Sequence, residues 1–403
     1  MKAVVFGAGN IGRGFVGALF SKAGYEVCFV DVSVPLVDAL NARRTYPVRV
    51  VSNEGHEDMW IENIRAVNGI DYDAVVDEIA SADLMATAVG SNVLGKIAPT
   101  IAAGIRRRFK LEKQPLNIII CENLMDADKV LEKLLRDSLS EEESTCIETH
   151  VGLVQASIGR MVPIQTETMK SGDELRICVE RYNYLPVDKD AFRGEIPDIN
   201  GMIPFTPFDF YVKRKLYIHN MGHATCAYLG LFSDKEYIVE AVADAEILLI
   251  TQNAMMQSAE ALSKKYDIPY LDIKRHIDDL LRRFSNAALG DTCARVGADS
   301  ARKLSHADRL IGAALCCLEQ DIIPIYICVG TACAMYEYLR ETGCTQGEAN
   351  ASKVLTEVSG IADDAIVRPI ILKYYAMFCD GLSLNLIRKA ASAEQAVLTP
   401  DVV

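Results

Sequence analysis

The chain has 403 residues, half of them hydrophobic and 24% charged, which is long enough for two or more domains of roughly 100–200 residues and a sizeable core without metal or disulfide staples. Lys and Arg number 42 against 55 Asp and Glu, a formal net charge of −13. A surface of that sign repels polyphosphate backbones and anionic headgroups, so general nucleic-acid or membrane-surface binding is disfavoured and any anionic ligand must meet a local basic cluster.

The start MKAVVFGAGN has no long apolar stretch behind a basic segment, and the longest charge-free runs, 216–233 and 322–336, are interrupted by histidines or by Pro324 and Gly330. Neither a secretory leader nor a membrane span is expected. The 12 cysteines include no C-x-x-C and no Cys/His cluster at zinc spacing. They read as reduced core residues of a cytoplasmic protein with no metal site.

Residues 2–6 form a short apolar run that ends in the turn Gly7-Ala8-Gly9-Asn10-Ile11-Gly12 and leads into the helical pattern RGFVGALFSKAG. A second β-rich run, 26–30, ends at Asp31 before a helix around 35–42. Further buried strands are expected at 84–88, ending in Thr87-Ala88-Val89-Gly90, and at 116–121, ending in Glu122-Asn123, with a helix at 92–109 between them. Apolar strands alternating with helices predict a Rossmann-type α/β domain, a parallel sheet covered on both faces. From 151 onward short strands are expected, at 162–166 and 174–180. The stretch 197–207, with three prolines and Gly201, marks the domain boundary. Thr206 can cap a helix with Pro207 in its first turn. Helical patterns follow at 234–264, 270–284, 305–319, 325–341, 346–357 and 363–378, so the expected organisation is a nucleotide-binding domain over 1–198 and an all-α domain over 199–403.

The G-x-G-x-x-G turn leaves a strand and opens a helix, so backbone N–H groups and the helix dipole can meet a pyrophosphate. Asp31 follows Gly12 by 19 residues at the end of the second strand, where a carboxylate accepts from ribose hydroxyls and repels a 2′-phosphate. That combination points to NAD, held by Gly7, Gly9, Asn10, Ile11, Gly12, Asp31, Ala88 and Val89. A purely structural turn with Asp31 as a helix cap, or a different nucleotide such as a flavin, is the competing reading.

A second constellation, K-x4-N-x2-H, places Asn220 about 140° and His223 about 80° round a helix from Lys215. A lysine drawn out of water beside Lys213 and Arg214 can lose its proton near working pH and accept one from an alcohol. Asn220 can donate to a developing oxyanion, and His223 can hold a substrate hydroxyl. Judged by spacing alone, a solvated basic face and a satisfied core histidine are the commoner outcome. Tyr211 and Lys215 also spell the Y-x-x-x-K of short-chain dehydrogenases, but that family opens with T-G-x-x-x-G-x-G and is about half this length.

The blocks GAGNIGRGF, ATAVG, Cys121-Glu122-Asn123, Arg160-Met161-Val162-Pro163, KRKLYIHNMGHATCAYLG and RVGADSARKLSHADRLIG occur in an order that resembles the polyol-specific long-chain dehydrogenases. The resemblance implies an NAD-linked, metal-independent oxidoreductase with Lys215 as general base and Asn123 and Asn220 as oxyanion donors. His223, Arg295 and Lys303 would bind substrate oxygens. Arg302 and Arg309 complete a basic cluster suited to a phosphorylated substrate, and mannitol 1-phosphate with fructose 6-phosphate is the implied pair. Without the resemblance, those four basic residues read as helix-end surface charge. The chain departs from the family where V-D-R-I is replaced by Ile158-Gly159-Arg160-Met161, where F-x-N-P becomes Phe284-Ser285-Asn286-Ala287, and where D-D becomes Asp291-Thr292. These changes leave open a hexuronate (altronate or mannonate) or free-polyol dehydrogenase and, more distantly, a non-catalytic NAD sensor. The oligomeric state is not legible.

Overall fold

The computed structural model describes residues 1–163 and 165–398. The chain divides into two compact units, Met1–Tyr211 and Val212–Val403. The first is built on six parallel strands that lie side by side in the order Ile64–Asn68, Glu26–Asp31, Lys2–Phe6, Leu84–Thr87, Leu116–Ile120 and Val151–Gln155. By chain order this is 3-2-1-4-5-6, the doubly wound arrangement of dinucleotide-binding sheets. Both faces are covered, as near-continuous apolar strands require. Ala3 and Val5 point into one core with Phe15, Phe20, Phe29 and Ile119. Val4 and Phe6 point into the other with Ile79, Ile101, Ile118 and Leu131.

Beside this sheet, Tyr46–Ser52 and Gly55–Ile61 form an antiparallel hairpin, and Ile177–Val179 adds in parallel to its first strand. The hairpin carries no readable apolar run because Gly55–Ile61 is GHEDMWI, exposed along most of its length. The strand expected at 174–180 is present only as Ile177–Val179. Residues 162, 163, 165 and 166 are not in a strand, and Ile164 lies outside the described residues. Here Pro163 has no N–H to offer, and the Gln165 side chain replaces the ladder: its amide donates to the Pro163 and Cys178 carbonyls and accepts from the Cys178 N–H. Farther on, Met202–Phe205 pairs in parallel with Leu185–Asp188 and belongs to the first unit.

A helix begins at Asp209, after a turn in which the Phe210 N–H donates to Pro207 and Tyr211 to Phe208. Thr206 therefore does not cap it. Among the described residues of the second unit every regular element is a helix, apart from one isolated bridge between Tyr237 and Thr292, with turns and loops between them. Ile325–Glu341 is buried along most of its length and packs against Met221–Phe232, Ala245–Tyr266 and Val367–Cys379. The helix expected over 234–264 is two, Ile238–Ala243 and Ala245–Tyr266. Asp244 breaks it with extended backbone, and its carboxylate accepts from the Glu246 and Ile247 N–H groups as a cap. A final helix, Leu384–Leu398, lies beyond the last one expected from sequence.

Candidate active site

In the first unit the glycine turn is shaped by two kinds of constraint. Gly7 has φ +92°, and a Cβ there would stand 2.4 Å from the Ala88 carbonyl oxygen; one on Gly12 would stand 1.9 Å from the carbonyl oxygen of Gly7. The protein itself therefore forbids side chains at both. Gly9 is exposed, and a Cβ there would meet nothing within 4 Å. A glycine that the protein does not need is the one expected where a pyrophosphate approaches the backbone, so the turn fits a dinucleotide. Asn10 is exposed and Ile11 half-buried beside it.

Buried guanidinium groups hold this turn from below. Arg13 donates to the Ala8 carbonyl at 2.6 Å and to Leu175 at 2.5 Å. Arg160, from the R-x-V-P block, donates to Gly14 at 2.9 Å. The segment Gly12–Val16 is a π-helical turn, a local over-widening often found at functional sites. Asp31 bridges to the turn: one carboxylate oxygen accepts from the Ala8 N–H at 2.8 Å and the other from Ser33 at 2.9 Å. Ser33, not Asp31, occupies the cap position of the following helix. Each Asp31 oxygen keeps a lone pair for a further donor. Ala88 and Val89 are half-buried, and Glu122 accepts from the Val89 N–H at 3.0 Å and from Gly90 at 2.8 Å. Asn123, next in chain, is exposed at the carboxyl end of Leu116–Ile120.

In the second unit Lys215–Asn220 is also a π-helical turn, running into Met221–Phe232. The 140° separation expected for an α-helix does not apply here, because a π turn links residue i with i+5 and brings Asn220 about one turn along from Lys215. Lys215, Asn220 and His223 are half-buried while Tyr217, Ile218, His219, Met221 and Gly222 are buried, so the three polar residues share the accessible side. His219 is held neutral by burial and by the surrounding Arg283, His223 and Lys215. Gly312 lets the Tyr217 ring close on the start of Ile311–Leu318, since a Cβ there would lie 2.8 Å from the ring.

The predicted substrate residues fall into two groups. Arg309 lies near Lys215, and Lys303 near Arg309 and Arg302: burial, then Arg309, brings the Lys215 ammonium down to about 8. Burial, then Arg309 and Arg302, does the same to Lys303, also to about 8. Among the described residues neither lysine is in a direct ion pair, although Asp299 and Asp308 act on Lys303 from farther off. The arginines are. Asp308 takes Arg309 at 2.8 Å and Arg302 at 2.9 Å, and Asp299 takes Arg302 at 2.5 Å. The basic cluster is thus partly neutralised by two carboxylates that the sequence reading left out. The second group is His223, Asp291 and Arg295. His223 Nε2 lies 3.2 Å from Asp291 Oδ2, and Arg295 Nε donates to Asp291 Oδ1 at 2.7 Å. The His223 ring stacks on Phe284 with centroids 4.7 Å apart and planes 15° from parallel. Asp291 was legible only as a departure from a motif, although a carboxylate four residues before Arg295 on a helix start is itself a pairing signal. At Gly159, the missing acid, a Cβ would lie 3.1 Å from the Tyr182 ring.

Family comparison joins these two halves to known proteins. Residues 1–201 match the mannitol dehydrogenase Rossmann domain and residues 208–367 the mannitol dehydrogenase C-terminal domain. The chain belongs to the mannitol dehydrogenase family. It is 39% identical over 335 residues, 83% of this chain and 86% of the relative, to mannitol-1-phosphate 5-dehydrogenase of Brevibacillus brevis. As a mannitol dehydrogenase family member with such a relative, it is an oxidoreductase acting on the CH–OH group of a polyol or polyol phosphate. Its fold is shared with a substrate-free D-sorbitol dehydrogenase (TM-score 0.79, 15% identity, 94% of this chain and 93% of that one). It is shared too with Pseudomonas fluorescens mannitol 2-dehydrogenase in a ternary complex with NAD and D-mannitol (TM-score 0.75, 15% identity, 97% and 94%).

The glycine geometry predicts a split between two alanine variants. Gly12→Ala pushes a Cβ into the Gly7 carbonyl and costs about 1–3 kcal/mol, which thermal unfolding reads as a Tm lowered by several degrees. Gly9→Ala leaves the Tm unchanged.

Proposed function

We propose that this family member is an NAD-linked dehydrogenase that interconverts a polyol phosphate and a ketose phosphate, most specifically mannitol 1-phosphate and fructose 6-phosphate. The observation that carries the reading is Lys215: an ammonium withdrawn from water, beside Arg309, without a carboxylate partner among the described residues and brought down to about 8. A group so tuned exchanges a proton with an alcohol near neutral pH. The 39% identity to a mannitol-1-phosphate 5-dehydrogenase supports the substrate. NAD, when bound, supplies the hydride acceptor and donor. Gly9, the π turn behind it, Asp31, and the Ala88–Val89 segment held by Glu122 would seat it.

In the direction of oxidation the neutral Lys215 amine takes the hydroxyl proton. Asn220, with Asn123 of the first unit in the same role, donates to the oxygen as negative charge develops on it. Lys303, His223 and Arg295 hold hydroxyls farther along the substrate, and Arg302 and Arg309 answer a phosphate. No metal is assigned to this chemistry. The free state of the described cysteines supports a cytoplasmic setting, and among the described residues no helix is long and apolar enough to cross a membrane.

The Lys215 assignment is tested by pH profiles. Alcohol oxidation needs the neutral amine, so its kcat/KM rises through pH about 8 and levels above it. Ketose reduction needs the ammonium and falls over the same range. Lys215→Ala removes the limb and about 10²–10⁴ of the rate while NADH binding, read by fluorescence, is kept. Because Lys303 titrates in the same region, Lys303→Ala must retain the limb; a profile that follows Lys303 sinks the assignment.

Coenzyme choice rests on Asp31. NAD is expected to be preferred over NADP, and Asp31→Ala to narrow the preference, in a comparison of kcat/KM for the two coenzymes.

The substrate is decided by a spectrophotometric screen of NADH oxidation with fructose 6-phosphate, fructose, tagaturonate and fructuronate. Fructose 6-phosphate is expected to lead. Arg302 already sits between Asp299 and Asp308, so the phosphate shares it rather than gains a free cation. Arg302→Ala should then cost roughly tenfold with fructose 6-phosphate, the low end for a charge-assisted contact, and little with fructose. A better rate with a keto-uronate or with fructose removes the phosphate assignment and leaves the Lys215 chemistry standing.

A further inference from the structure

Asp291 sits where the first residue of an ordinary surface ion pair would sit, four positions before Arg295, and such exposed pairs contribute little. Three observations set it apart. Its side chain is 11% exposed whereas that of Arg295 is 52% exposed, so the carboxylate faces inward. Its two oxygens are divided between two partners, Oδ1 to Arg295 Nε at 2.7 Å and Oδ2 to His223 Nε2 at 3.2 Å. Its backbone is fixed on both sides: the Asp291 carbonyl accepts from the Ile238 N–H, the Cys293 N–H donates to Glu236, and the Thr292 hydroxyl caps the Arg295 N–H. Burial works to raise its titration, but His223 and Arg295 outweigh that and keep the carboxylate ionised below its ordinary range.

The His223 ring has little freedom to choose another partner. It is stacked on Phe284, 15° from parallel, and its Nε2 is buried with no hydrogen-bond partner other than this close approach to Asp291. A buried ring nitrogen facing a carboxylate keeps its proton, and in the neutral imidazole the other nitrogen must then be an acceptor.

We propose that Asp291 is the positioning residue of the substrate pocket: its Oδ2 holds the Nε2–H tautomer of His223, which leaves Nδ1 to accept from a substrate hydroxyl, while its Oδ1 aims Arg295 at a neighbouring substrate oxygen. One carboxylate thereby fixes an acceptor and a donor at a set spacing, which suits adjacent hydroxyls of a linear polyol better than a single charged group. The inference rests on the substrate roles proposed above for His223 and Arg295, but its first test does not.

Long-range ¹H–¹⁵N spectra of the histidine-labelled intact protein, recorded at about pH 9, above the ordinary imidazole range, report the tautomer of each ring; His223→Asn identifies the signal. The Nε2–H form is expected for His223. An Nδ1–H form, or a doubly protonated ring at that pH, overturns the proposal even if the enzyme is active. Asp291→Asn, nearly isosteric, is then expected to raise KM for the sugar substrate about ten- to a hundredfold, to lower kcat less, to leave NADH affinity unchanged and to shift the His223 signals. A variant with altered Tm but wild-type KM and wild-type His223 signals would also overturn it. If the variant does not fold, the wild-type spectrum alone decides. Absence of any polyol or ketose turnover in the wild type would defeat the function proposed above and leave the tautomer result intact.

Discussion

A partly buried ammonium with no direct ion pair among the described residues is the constraint around which the proposed site of the second unit is arranged. Removing Lys215 from solvent disfavours its charged form, and Arg309 adds like-charge repulsion to that. A carboxylate close to the lysine would cancel both effects and return it to the ordinary range. The carboxylates are instead placed one step away: Asp308 joins Arg309 and Arg302, and Asp299 joins Arg302. The arginines are thus stabilised, and their charge still reaches Lys215 and Lys303 in part. The buried His219 adds no further positive charge beside Lys215, since burial keeps the ring neutral.

The first unit obeys a different rule, one of fixed backbone. A sheet of parallel strands ends at the Gly7–Gly12 turn, and each piece of that turn is tied to something rigid. Arg13 holds it through the Ala8 carbonyl, Arg160 holds the following helical turn through Gly14, Asp31 ties it to the end of the second strand, and the Ala88 carbonyl fills the space over Gly7. Glu122 does the same for the neighbouring Val89–Gly90 loop. These are buried or half-buried groups with satisfied partners, so the turn keeps its shape without help from a ligand. Only Gly9 is left with space that no protein atom claims.

Both units also use a π-helical turn at the point where chemistry is expected, Gly12–Val16 in one and Lys215–Asn220 in the other. In the second case the wider turn changes which side chains share a face. Lys215 and Asn220 come into line, and His223 continues the row on the α-helix that follows. Read as plain α-helix, the same block puts Asn220 about 140° and His223 about 80° round from Lys215, still within reach of one cleft.

Sequence alone determined the class of the protein, because its evidence is local. The alternation of Val4 and Val5 between two cores, the strand–glycine–helix order and the position of Asp31 all follow from spacing along the chain. Lys215, Asn220 and His223 were picked out as a group by the family resemblance, not by spacing alone. What sequence left out depends on residues meeting from afar. The polar hairpin strand Gly55–Ile61 has no apolar period and forms because Tyr46–Ser52 pairs with it. Residues 162–166 read as a strand, yet Pro163 and the Gln165 amide replace the ladder. The basic cluster read as free positive charge. Asp299 stands three residues before Arg302, Asp308 next to Arg309 and Asp291 four before Arg295, pairings within local reach that the composition of the cluster alone hides. Only tertiary structure set His223 against Asp291. Charge state and tautomer are decided by what surrounds a group in space, and His223 and Asp291 are 68 residues apart along the chain.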